Sequence, residues 1–356
     1  MAGPAEAPES ASPPLPRVLA RRTAVAVVVI VILGVPFAVL AVLSGQLAAS
    51  WAMFSALAAL TVLVMAGQEY AYLTVGLLTA LTPVAIVSGA VPVAGAALMA
   101  LMCLGVGVSA HWGLQRAMLN IPIYIAFMLV APPAWTGQAV DRTTTSYLLW
   151  NMLFMGGGAL WAALVFPPLL RKRKISVPLG PPKPWARPDV VAYTITITVL
   201  CSACTLAVLA WWPGSDLGWL PVTVLAVSGF GFGGGTGATV KRSLSRIGGT
   251  IIGFAVAALV ARVVDSEAVL IGIALILGVM VVVVALSVKS YLLFEAFVVP
   301  AVVLVTATSI ADVDKTDAER LAAVVIGGAL VLLATGINLS WVHYQQTHSA
   351  TPTQAN

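Results

Sequence analysis

The chain has 356 residues, of which 60% are hydrophobic and only 9% charged, with three cysteines and a formal charge of +5. A soluble domain carries roughly 25% charged residues, so this composition excludes a soluble globular fold and points to a polytopic membrane protein. The positive balance is no nucleic-acid signal, because its distribution between apolar runs is what matters.

Residues 1–20 are rich in Pro, Ala and Ser and read as a disordered cytoplasmic tail. Arg21 and Arg22 then precede an apolar run of about 20 residues, long enough for an uncleaved first span rather than a secretory signal. Six spans are expected at 23–43, 48–66, 71–87, 91–109, 119–133 and 147–169, forming a first half over 21–169. Residues 170–188 are basic and proline-rich, a cytoplasmic linker. A second half over 189–342 holds spans at 190–211, 218–234, 247–263, 268–286, 290–308 and 320–341, and 343–356 form a cytoplasmic tail. The predicted fold is all-α, with about twelve transmembrane helices.

Charge tests that layout. With the N-terminus in the cytoplasm, fourteen of the eighteen Lys and Arg fall on the cytoplasmic side. Only Arg142, Arg262, Lys315 and Arg320 are left for outer loops, where most of the acids also fall. This bias sets the orientation and puts both termini inside a cell membrane. Trp211, Trp212 and Trp219 would mark the outer interface, and Trp112 and Trp341 the inner one. There is also an internal repeat. Thr61-Val62-Leu63 with Gly67 echoes Thr223-Val224-Leu225 with Gly229, and Val140-Asp141-Arg142-Thr143 echoes Val313-Asp314-Lys315-Thr316. An even number of spans per copy makes two parallel six-helix repeats about an axis along the membrane normal.

The most informative stretch runs from Trp219 to Arg262: a span, a glycine-rich turn, a short cationic segment and a second span. Arg242, Arg246, Gly249 and Gly253 are spaced by four, three and four residues and share one helix face. Guanidinium groups offer a planar fork for a carboxylate, and glycines four apart let a helix or a ligand approach the backbone. The simpler reading makes these cations inner-leaflet anchors, the role that suits Lys241. Glu295 stands six residues past Lys289, about 9 Å of helix rise inside the membrane boundary. Acids at that depth usually face a cavity, so Glu295 is a candidate proton-coupling group. The alternative is a structural acid bonded to Tyr291 or paired with a cytoplasmic cation. The repeat sets Pro122 opposite Glu295, so only one half carries the acid.

Gly229, Gly231 and Gly234 spell G-x-G-x-x-G but follow a membrane span, which argues against a dinucleotide fingerprint and for a re-entrant turn or tight connection. Cys201 and Cys204 lie inside a span and read as packing. His111, His343 and His348 are scattered, so no metal or other cofactor is indicated. No enzyme motif appears.

The segment VKRSLSRIGGTIIGFAVAALVA, with its preceding Trp-Leu-Pro-Val-Thr-Val-Leu span, resembles the fusaric acid resistance-like (FUSC) family, related to the aromatic acid exporters. The matched elements are Arg242, Arg246, Gly249-Thr250 and Gly253, and the resemblance is clearest over about 190–340. After Gly67 the first half has Gln68-Glu69-Tyr70 in place of the cationic motif. The resemblance implies export of small aromatic or related organic acids. Plant malate-channel relatives imply passive anion conduction instead. The resulting expectation is a proton-coupled exporter. Arg242, Arg246, Gly249, Thr250, Gly253 and Tyr291 would bind the organic anion, Glu295 would exchange the proton, and Phe230, Phe232 and Phe294 would wall the ring. A non-transporting scaffold for envelope assembly is the third reading. Membrane lipids are the other expected partners, nucleic acid is not one, and self-association is open. A transporter should show a watery cavity joining the two arginines and the acid.

Overall fold

The computed structural model describes residues 15–44, 48–130, 132, 142–173, 184–213, 216–231, 236–264, 266–287, 290–306 and 310–349. The described residues are helical, with no strand among them. In chain order the helices are α1 (Leu15–Ser44), α2 (Ala48–Ala66), α3 (Gln68–Ser88), α4 (Pro92–Ser109), α5 (Gln115–Met118), α6 (Asn120–Val130) and α7 (Thr145–Arg173). They continue with α8 (Arg187–Trp211), α9 (Trp219–Gly231), α10 (Thr236–Val263), α11 (Glu267–Ser287), α12 (Tyr291–Thr306) and α13 (Ile310–Ser349). Among the expected features, the glycines at 233–235, Phe232, most of the N-terminal tail, the linker centre and residues 350–356 lie outside the described residues.

A helix occupies each of the twelve predicted segments, the fifth holding α6 with the short α5 just before it. Six are long and apolar enough to cross a membrane: Gln68–Ser88, Pro92–Trp112, Thr145–Leu170, Arg187–Trp211, Thr239–Val263 and Ala318–Ile337. The remaining apolar helices have 10–17 described residues of suitable composition. The outward faces of the six long helices carry large apolar side chains such as Leu101, Ile195, Leu259 and Ile337. In water such faces would be unfavourable, whereas lipid is as apolar as they are.

Packing uses small residues where backbones approach. Gly158 lies so close to α2 that an added methyl would meet the Ala52 carbonyl, which explains the tight α2–α7 contact. Gly107 similarly meets Thr194, joining α4 to α8. Helix α1 packs on α2 and on α11, and α10 packs on α12 and α13. Helices of the two predicted halves therefore interleave.

Arg320, expected in an outer loop, sits inside a helix, whereas Arg142 stays in the loop between α6 and α7. Arg320 is inside α13, only 6% exposed, with its guanidinium 5.4 Å from the Trp219 ring centroid. Trp219 itself packs edge-on against Phe127, whereas Trp211 and Trp212 are exposed. Arg142 is half-buried and donates from Nη1 to the Leu129 carbonyl at 2.9 Å, and from Nη2 to that of Val130 at 3.4 Å. It thus binds the C-terminal carbonyls of α6, which have no partner within the helix. Desolvation there pulls the Arg142 guanidinium below its usual range.

Candidate functional site

The cationic segment is continuous with the helix that follows it. Helix α10 starts at Thr236, so Arg242 and Arg246 lie two and three turns inside it, one turn apart on one face. Ala238, Lys241 and Leu244 favour helix here, Gly237 stands in the first turn, and Gly248 and Gly249 follow Arg246. The facing helix α12 presents Tyr291 and Glu295, also one turn apart. Two i, i+4 pairs on neighbouring helices therefore meet.

Gly249 and Gly253 set how closely they meet. A methyl built on Gly249 would lie 2.7 Å from both the Glu295 Cβ and the Leu292 carbonyl oxygen, and one on Gly253 2.7 Å from the Val299 Cβ. The glycine face is thus filled by α12. At this distance Arg246 Nη1 donates to Glu295 Oε1 at 2.6 Å and to the Tyr291 hydroxyl at 2.9 Å. Arg246 is 6% exposed and Glu295 4%. Arg242 donates from Nε to the Ala226 carbonyl of α9 at 3.1 Å, and its guanidinium lies 3.8 Å from the Tyr291 ring centroid. That is within cation–π range, and Phe294 stacks on the same Tyr291 at 6.2 Å. A buried ion pair gains little net stability over an apolar pair of the same volume, because both ions lose their water. Removing one partner is another matter, since it strands the other charge. The cluster is an assembly of two guanidinium groups, a carboxylate and a phenol held between α9, α10 and α12.

Of the expected site residues, Arg242, Arg246, Tyr291 and Glu295 are brought together, and Gly249 and Gly253 are the surface against which α12 rests. Thr250 is 1% exposed on an adjoining part of α10, with its hydroxyl lacking a partner. Phe232 and the side chain of Phe230 lie outside the described residues. Ser243, fully buried one turn before Arg246, was not singled out by the sequence. Its only signal was the three-residue spacing to Arg246.

The cavity is not where it was expected. An open cavity of about 540 Å³ is lined by Gly237, Val240, Lys241, Leu244, Ser245 and Leu292. By helical geometry Lys241 and Leu244 lie roughly opposite Arg242 and Arg246, so this cavity is on the other face of α10. The Arg246–Glu295 pair is enclosed by protein in this conformation. Cys201 and Cys204 are buried and unbridged.

Residues 200–334 match the model of the family described as fusaric acid resistance protein-like. No curated protein and no solved structure matches the chain. The matched stretch runs from α8 to α13 and contains every charged member of the cluster. Together with the apolar helices, the match points to a membrane protein. The chain is thus a membrane protein that carries, over residues 200–334, a fusaric acid resistance protein-like domain, with the buried arginine–glutamate cluster inside it.

Proposed function

We propose that the protein is a secondary transporter that exports small organic acids, aromatic acids above all, across the cytoplasmic membrane in exchange for protons. The observation that carries this reading is the enclosed Arg246–Glu295 ion pair, beside Arg242 and Tyr291, in an otherwise apolar bundle. Charges kept at such depth are there for a task other than stability. In the cycle, Arg242 and Arg246 draw the substrate carboxylate from the cytoplasm. Once the substrate has left outward, Glu295 takes up a proton from that side, loses its hold on Arg246, and gives the proton up to the cytoplasm before the next carboxylate binds. The enclosed pair is then the closed gate, and the two halves rock about it.

Reciprocal packing supports two parallel six-helix repeats. The fourth span of the first half, α4, packs on the first of the second, α8, and the fourth span of the second half, α11, packs on α1. The third span packs on the sixth in both copies, as α3 on α7 and α10 on α13. Such mutual exchange is what a pseudo-two-fold axis along the membrane normal produces.

The enclosure of the pair, with the cavity on another face, favours as second reading a scaffold that transports nothing. Vesicles containing the purified chain and loaded with benzoate separate the readings. An exporter releases benzoate in response to a pH step. An anion channel releases it in response to membrane potential alone, and a scaffold releases none. Absence of flux under both gradients overturns the transporter reading.

A further inference from the structure

Arg246 has an unused edge. Its Nη1 serves both Tyr291 and Glu295, while its Nε–H is buried without a partner. In a guanidinium group Nε–H lies on the side away from Nη1. The edge made by Nε and the other terminal nitrogen is one of the two that can take a carboxylate with two parallel hydrogen bonds. The hydroxyls of Ser243 and Thr250 are also buried and without partners. They differ in this from Thr74, Thr82, Thr194 and Thr335, whose hydroxyls close back on the carbonyl one turn earlier. Residues 243, 246 and 250 are three and four apart, so these three donors line one strip of α10. Each unmet donor is costly in an apolar bundle. Ser243 stands one turn from Arg246 but about 10 Å of helix rise from Thr250, so one carboxylate can meet Ser243 and Arg246 together and not both hydroxyls.

We infer that the Ser243–Arg246 part of this strip is the docking site for a monocarboxylate, reached when the protein around the enclosed cluster opens. The ligand carboxylate lies side-on across the Nε edge of Arg246 and receives a hydrogen from Ser243, while Nη1 stays on Tyr291 and Glu295. The inference rests on reading the cluster as an organic-anion site. It adds Ser243 as a specificity residue and separates the docking edge from the gate. A carboxamide of the same shape is rejected, because it carries no charge and turns N–H groups toward donors.

The test is equilibrium binding of benzoate, with benzamide as its neutral isostere, to the full chain in detergent. The wild type binds benzoate and not benzamide. Ser243→Ala weakens benzoate binding by about tenfold, the range for one hydrogen bond to a charged group, yet raises Tm because it removes an unmet buried hydroxyl. Arg246→Lys keeps a cation opposite Glu295 but lacks the planar edge, and weakens binding by more than about tenfold. Wild-type affinity in Ser243→Ala, no binding of benzoate by the wild type, or equal binding of benzamide would each overturn the inference. Binding at equilibrium needs no proton coupling, so failure of the transport reading leaves this result readable.

Discussion

Adjacent glycines on α10 should respond oppositely to one added methyl. At Gly249 the new carbon would stand 2.7 Å from the Glu295 Cβ, 2.7 Å from the Leu292 carbonyl oxygen and 3.2 Å from the Ala296 nitrogen. Two of these atoms are α12 backbone and the third is fixed to it, so no rotamer change relieves the overlap. Carbon contacts settle at roughly 3.5–4.0 Å, and the helices must therefore separate by about 1 Å. Overpacking of this kind costs about 1–3 kcal/mol. At Gly248 the methyl would meet only the Leu292 Cδ1 at 3.6 Å, an ordinary contact. Both substitutions gain the same helix propensity, about 1 kcal/mol, so it cancels in their difference. Gly249→Ala should therefore be about 1–3 kcal/mol less stable than Gly248→Ala. With about 2–4 °C per kcal/mol for a domain of comparable size, the two Tm values should differ by several degrees in the same detergent. Gly249→Ala should also slow benzoate efflux, because it pushes Glu295 away from Arg246. Equal Tm values for the two variants would refute the close α10–α12 contact on which the site depends.

Glu295→Ala leaves the Arg246 guanidinium buried without its counter-charge and should cost about 3–5 kcal/mol, seen as a large drop in Tm. The double variant Arg246→Met with Glu295→Leu should recover much of that stability while abolishing efflux, which separates the structural from the transport role. Arg142→Met frees the Leu129 and Val130 carbonyls and should cost about 1–2 kcal/mol, with faster amide hydrogen exchange confined to the end of α6.

Much of the site was legible because its spacing is local. Arg242, Arg246, Gly249 and Gly253 fall on one helix face by counting alone, and an acid as deep as Glu295 stands out against apolar neighbours. What counting could not supply is the pairing. Arg246 and Glu295 are 49 residues apart, and no periodic signal links two helices across a third. The same blindness explains the glycines. A glycine face admits a helix or a ligand equally well, and only the packing puts α12 there. Arg320 was misplaced, and the contacts of Arg142 were not foreseen, for a related reason. Charge statistics assign a side of the membrane, but they do not say whether a long cation lies under an aromatic ring or against helix-end carbonyls.

The exchange of a proton at Glu295 is tested most directly by recording proton movement and benzoate flux together in vesicles, for the wild type and for Glu295→Gln. The wild type should move protons in fixed proportion to benzoate, and the glutamine variant should lose that proportion while still folding. Proportional proton movement in Glu295→Gln would contradict the assignment of Glu295 as the coupling residue.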